Sequence, residues 1–299
     1  MFGIDHLDVH PTKQLSKDKH TPKKQKILER VKATAKFPTA QVKRIIIFSE
    51  LWIDVDVTFG FDRLERDNIK VISGIYQNPD SPNKVKSNFT VTGMDGVTLN
   101  LLLENQSEKL GDASAKAVVD VRVPRGYSDL ETLLIYTKQG SFKYDETSLN
   151  RLPYVTNLHY ESSLGKLKSK LVKASTAIIK TKANSIDTAF YVEKGVTLQT
   201  YDANITSRIF LQNADNSYVD VRAKNGSIDV SMLSKYSGLI GLRAFKGSTR
   251  IVDRGTNMNF ELNEAKTRGY VFNTNLNPKQ TNSSILLENN EGPISLQFS

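Results

Sequence analysis

The 299-residue chain contains no cysteine. That excludes a disulfide framework, a thiolate metal site, a cysteine nucleophile and thiol redox chemistry. Histidine is nearly as scarce: His6, His10, His20 and His159 are too few and too scattered to build a zinc centre, so no metal site is assigned. No window approaches 18 consecutive apolar residues, so no membrane-spanning helix is read. The opening MFGIDHLDVH carries two Asp and two His where a secretory signal has an apolar core. The expectation is a cytoplasmic chain, with association to a membrane left open. Phosphate-cradling glycine loops, H-E-x-x-H and G-x-S-x-G are missing too, so no cofactor is expected and nucleotide hydrolysis and the familiar hydrolase mechanisms lose their footing. Five Asn-x-Ser/Thr sequons carry no weight in a chain with 22 asparagines.

What is present suffices for a sizeable core: 38% hydrophobic residues and 24% charged ones in 33.5 kDa. The net charge of +9 is unevenly spread. Residues 1–45 hold eleven basic side chains against four acidic ones, leaving the remaining 254 residues with only +2. The high isoelectric point therefore describes a front end and not a basic domain surface.

Residues 1–40 read as a basic flexible arm punctuated by Pro11, Pro22 and Pro38. Within it, Lys23 to Lys36 is compatible with a short helix, since Ile27, Val31 and Ala35 recur at four-residue steps. The arm is thus expected to be disordered or partly helical. After Pro38 the texture changes to short segments rich in β-branched and aromatic residues: 41–48, 51–57, 68–72, 88–92, 97–103 and 117–126. Gln77 to Asn83, with two prolines, reads as a surface loop. No amphipathic helix longer than three turns appears beyond residue 40. The expected class is all-β.

The second half repeats. Small-polar-apolar words occur at Gly140-Ser-Phe142, Asn184-Ser-Ile186, Asn204-Ile205, Gly226-Ser-Ile228, Gly247-Ser-Thr249, Gly269-Tyr-Val271 and Gly292-Pro-Ile294. Aligning Ile186, Ile205, Ile228, Thr249, Val271 and Ile294 gives a period near 22 residues, which is the spacing of stacked β-coils that bury their inner faces against one another. In Gly226–Met232, Ile228, Val230 and Met232 should face inward, and Gly226 should turn the corner, a place that suits glycine or asparagine. Asn184, Asn204, Asn225 and Asn257 are candidates for comparable corners.

VDVRVPRG (Val119 to Gly126), followed by Gly140-Ser-Phe and the repeated Gly-Ser-Ile/Thr words, resembles the adhesin-like β-solenoid domains of unknown function found in bacteria and, in divergent form, in fungi. The likeness covers about residues 40–299. It implies a non-enzymatic module of stacked strands at or near a cell envelope or membrane, with no agreed catalytic residues to transfer. The lysine-rich front end departs from a secreted adhesin.

Two basic stretches are candidate sites for an anionic surface. Lys13, Lys17, Lys19, Lys23, Lys24, Lys26 and Arg30 belong to the arm, and Lys166, Lys168, Lys170 and Lys173 to a run with no acid. In the second, alternation with Leu167, Ser169 and Leu171 sends the lysines outward, either as charges that protect a sheet edge or as a strip for phosphate groups. Nucleic acid could use the same charges, but Tyr154 and Tyr160 are the nearest aromatic stacking partners. Among acids, Asp54 and Asp56 would project from one strand face roughly 7 Å apart. Asp202, Asp215, Asp220 and Asp229 are spaced in places about one coil apart, as a carbohydrate-active β-helix enzyme would need. Trp52, Phe59 and Phe61 are candidates for a hydrophobic cap or a domain interface.

The resulting expectation is a basic arm (1–40) and one β-solenoid-like body (41–299), with sub-boundaries conceivable at residues 78–83 or 146–157. The body is a non-catalytic binding or scaffold module, held to an anionic membrane surface or a protein partner. A carbohydrate-active enzyme and a nucleic-acid-binding protein are the alternatives.

Overall fold

The structure, a computed structural model, describes residues 12–14, 28–62, 64–77, 84–92, 97–105, 115–145, 153–213, 216–254, 258–263, 268–272 and 282–299. Every element among them is a strand. The front of the chain supplies β1 (Thr12–Gln14), β2 (Leu28–Pro38), β3 (Val42–Ser49), β4 (Asp54–Asp62), β5 (Asn68–Gln77), β6 (Val85–Thr92), β7 (Val97–Asn105) and β8 (Ala115–Pro124). The middle supplies β9 (Thr132–Thr137), β10 (Gln139–Tyr144), β11 (Val155–Ser162), β12 (Lys166–Leu167), β13 (Leu171–Thr181), β14 (Ile186–Asp202), β15 (Ile205–Leu211), β16 (Tyr218–Asn225) and β17 (Ile228–Met232). The end supplies β18 (Gly238–Lys246), β19 (Thr249–Asp253), β20 (Asn259–Leu262), β21 (Arg268–Phe272), β22 (Ser284–Glu291) and β23 (Ile294–Phe298).

These strands form a seven-stranded and a sixteen-stranded sheet, and the larger one forks at β14. The fork arises because β14 runs for 17 residues and pairs with β15 through residues 186–192 but with β16 through residues 195–202. One row of strands therefore reads β6-β7-β3-β9-β11-β13-β14-β16-β22-β18-β21-β20. The other reads β1-β2-β5-β8-β4-β10-β12 and carries on through the start of β14 to β15-β17-β23-β19. Residues 168–170 bridge the two parts of that second row: Lys168 N donates to Phe142 O (2.8 Å) and Ala189 N to Lys170 O (2.9 Å). From β7 to β19 consecutive strands alternate between the rows, so each stretch of about two strands there adds one layer.

Period-2 alternation sets what each layer buries. Ile186, Ile205, Ile228 and Ile294 are each at most 1% exposed and lie opposite one another in register, with Thr249 following Ile294. Five of the six positions aligned from sequence thus form one column, each buried isoleucine contributing about 2 kcal/mol of transfer free energy. Val271 is the exception. It sits in β21, antiparallel to β18, opposite Gly238.

Corners are closed by hydrogen bonds between neighbouring layers, so the backbone groups exposed by the bend do not go unpaired. Asn184 Nδ2 donates to Leu164 O (2.6 Å), and Ser227 N donates to Asn204 Oδ1 (2.8 Å). Gly226 has φ +117°, as expected for a corner. Gly292 has φ +138°, and a Cβ there would lie 1.8 Å from Gly226 O, so only glycine lets the two corners meet.

The helix expected over Lys23 to Lys36 is not formed where the chain is described: residues 28–38 are strand β2, antiparallel to β5 from Glu29↔Gln77 to Pro38↔Asn68. Val31, Ala33, Ala35 and Phe37 alternate with Lys32, Thr34 and Lys36, which suits a sheet face, and ten backbone pairings outweigh a weak helix preference. Gln77, the first residue of the expected loop 77–83, is instead the buried last residue of β5; residues 78–83, residues 146–152 of one expected boundary, Asn257 and Asp215 lie outside the described residues.

Candidate functional site

Of the basic residues expected to meet an anionic surface, Lys17, Lys19, Lys23, Lys24 and Lys26 lie outside the described residues. Lys13 and Arg30 fall in paired strands β1 and β2 and are cross-strand partners of Glu29 and Thr12 respectively. The second group is fully placed. Lys166, Lys168 and Lys170 are exposed while Leu167 and Ser169 turn inward at 6% and 2% exposure, as alternation required. Lys173 is half-buried, its Nζ 5.8 Å from the ring centroid of Tyr191, which stacks on Phe210 at 4.7 Å.

The parallel register adds two lysines that sequence reasoning missed. Phe142 lies opposite Leu167, which sets exposed Lys143 beside Lys168, and Lys116 reaches the same face from β8. A signal was available for Lys143: superposing Gly140-Ser-Phe-Lys on Gly165-Lys-Leu-Lys aligns the two residues. Lys116 has no such signal, because β8 reaches this face by stacking outside β4.

An acid sits inside this basic strip. Asp56 accepts from Lys116 Nζ (2.7 Å) and Ser141 Oγ (2.5 Å), with Lys168 Nζ at 4.0 Å. Burial works to raise its pKa, but the Lys116 and Ser141 hydrogen bonds and the two ammonium charges together hold it below the ordinary carboxylate range. Asp56 is therefore a fixed anion that offsets part of the strip and makes a poor proton donor.

The other acids do not converge. Asp220 faces out from the first row in a bidentate pair with Arg222 (2.8 and 2.9 Å), while Asp229 faces out from the second row and accepts from Gln297 Nε2 (3.2 Å). Asp202 sits at a corner and accepts from Asn225 Nδ2 (2.6 Å). Among the described residues no three His, Asp or Glu gather as a metal set. Trp52 is 57% exposed at the β3–β4 corner, because Ile53 takes the inward place there, and Lys138 Nζ stands 5.8 Å from its ring. Phe59 is core, edge-on to Tyr144, and Phe61 packs against the core. None of the three caps the stack. Tyr160 is fully buried and offers no stacking face to a base.

A shallow cleft of about 360 Å³ opens on the outer side of the first row. Its lane runs across β9, β11, β13 and β14. One bank is the in-register series Tyr136, Glu161, Lys180 and Gln199. The floor is Ser162, Thr181 and Thr200, and the far bank holds Ser163, Lys182 and Tyr201. The lane is open because Ser163 is short where the neighbouring layers carry Lys138 and Lys182. Sequence reading missed this site, since its residues look like ordinary outward positions until the layers are put in register.

No protein-family model matches the chain, and no curated protein matches its sequence. Among solved structures it is similar to one described as a putative cell adhesion protein from Clostridium sporogenes, at 10% identity and TM-score 0.32, covering 90% of this chain and 99% of that one. It is similar also to structures described as a putative adhesin from Bacteroides fragilis (11%, TM-score 0.37, 89% and 96% covered) and from Parabacteroides distasonis (10%, TM-score 0.31, 90% and 97%).

Proposed function

We propose that the protein is a non-enzymatic binding module whose body is a β-solenoid. Its basic front end and the lysine strip of the second row together hold it against an anionic membrane surface from the cytoplasmic side. The observation that carries this reading is the strip itself: Lys143 of β10, Lys166 of β12, and Lys168 and Lys170 of the segment that continues β12 are exposed side by side, so their charges act together at an anionic surface. Each lysine near such a surface contributes about 1 kcal/mol, and Asp56 cancels part of the total. The enzyme alternative gains nothing from Asp220 and Asp229 on different rows or from an Asp56 held ionised.

Co-sedimentation of the full chain with phosphatidylserine-containing vesicles tests the proposal. Binding is expected to fall steeply with salt and to drop by at least about tenfold in a Lys143→Glu, Lys166→Glu, Lys168→Glu variant. Equal binding by that variant, or tighter binding to single-stranded RNA than to vesicles at the same ionic strength, contradicts it.

A further inference from the structure

The cleft on the opposite row differs from the lysine strip in carrying aromatic walls. Tyr136 stands at one end and Tyr201 at the other, three strand spacings apart, or about 14 Å. Each ring is supported from outside the cleft. Phe48 stacks on Tyr136 at 5.0 Å with only 16° between the planes, and Lys224 Nζ lies 4.1 Å from the Tyr201 centroid. The supports fix both side chains, and Lys138 Nζ also stands 5.6 Å from the Tyr136 centroid. Tyr201 keeps 43% of its surface exposed.

Between the rings the groups are polar and mixed. Glu161 offers a carboxylate, Gln199 an amide, Lys180 and Lys182 two ammonium groups, and Ser163 a hydroxyl. Two further lysines stand at the ends. Lys138 Nζ donates to Tyr136 OH at 3.3 Å, and Lys224 Nζ to Tyr201 OH. One acid against four lysines makes the lane attractive to anions.

From this arrangement we infer that the cleft binds a short, carboxylate-bearing saccharide. A pyranose ring has an apolar C–H face that fits a rigid tyrosine ring, and an edge of hydroxyls that needs both donors and acceptors, as Gln199, Glu161 and Ser163 supply. Its carboxylate would lie between Lys180 and Lys182. A phosphodiester chain suits the lane less well, because its backbone has no pyranose C–H face to set on the two tyrosine rings. The site is on the row that does not carry the lysine strip, and it stands independently of membrane attachment.

Calorimetric titration of the full chain with trigalacturonate, with neutral galactotriose and with a short oligouridylate tests the inference. Trigalacturonate is expected to bind with a dissociation constant below about 5 mM. Tyr201→Ala and Lys180→Ala should each weaken it at least about fivefold, and Lys166→Glu on the other row should leave it unchanged. Circular dichroism of the variants separates lost binding from lost folding. Absent trigalacturonate binding, equal affinity for the neutral trisaccharide, tighter binding of oligouridylate, or full affinity in folded Tyr201→Ala would each overturn the assignment.

Discussion

From β9 to β17 every layer lies beside the layer that precedes it in the chain, whereas at both ends the order is broken. At the front, β7 and β8 stack outside β3 and β4, and the antiparallel strands β6 and β5 lie beyond them. At the back, β22 and β23 are inserted between β16–β17 and β18–β19, and the antiparallel β21 and β20 cover β18. In both places the chain runs out to lay an antiparallel cover and then returns to fill a gap beneath or within the stack. A parallel row left open would present unpaired N–H and C=O groups to another chain, so the middle can be repetitive only because the ends are not.

The corners differ in the same way. Middle corners use Asn184 and Asn204, whose side chains bond to adjacent layers. Where the last layer is inserted, three glycines meet instead: a Cβ on Gly247 would lie 2.1 Å from Gly292 O, and one on Gly292 would lie 1.8 Å from Gly226 O. A late-arriving strand must fit between two backbones already close together, which leaves no room for a side chain.

Three perturbations probe this difference, taken from the largest effect to the smallest. Removing residues 282–299 strips out Ile285, Leu287, Ile294, Leu296 and Phe298, all at most 1% exposed. The loss, on the order of 10 kcal/mol, is comparable to the whole stability of a domain. Hydrogen exchange should then show β16 to β19 unprotected while β9 to β15 stay protected, and uniform loss across the chain would mean that middle and end form one cooperative unit. Gly292→Ala is expected to cost more than about 3 kcal/mol in denaturant melts, against about 1 kcal/mol for Gly126→Ala. Gly126 also has positive φ (+86°) but nothing within 4 Å of an added Cβ.

The third concerns the middle alone. Burial pushes the Tyr160 hydroxyl up to about 12 from an ordinary 10.0. An acid with a raised folded pKa contributes its stability in full below about pH 10 and loses it as the pH climbs towards 12. The loss amounts to roughly 2–3 kcal/mol. Alkaline titration of stability should show this fall in the wild type and a shallower one in Tyr160→Phe.

The column Ile186, Ile205, Ile228, Thr249 and Ile294 was legible in the sequence because alternation and a repeating corner word fix which residues point inward and at what height. Which layer neighbours which was not legible. An inward isoleucine is equally satisfied by any adjacent layer, so periodicity places Ile294 in the column without saying that it precedes Thr249 there. Val271 matched the spacing and still joined an antiparallel cover, since a two-residue period is common to both kinds of strand. The lysine alternation at 166–170 was readable from neighbours in sequence. Tyr136, Glu161, Lys180 and Gln199 are brought together only by register between layers, so the cleft was hidden until the stack was ordered.

The order of that stack is the central claim, and a chain without cysteine tests it cleanly. Arg222 lies directly opposite Glu288, and Glu288 opposite Arg243, so Arg222 and Arg243 are two strands apart. At about 4.8 Å per strand the first pair is within reach of a disulfide, while the outer pair, near 10 Å, is beyond its limit of about 7 Å. Mild oxidation of the Arg222→Cys, Glu288→Cys variant should therefore cross-link it nearly completely, and the Arg222→Cys, Arg243→Cys variant should stay reduced. The reverse result would place the layers in simple chain order and contradict the account.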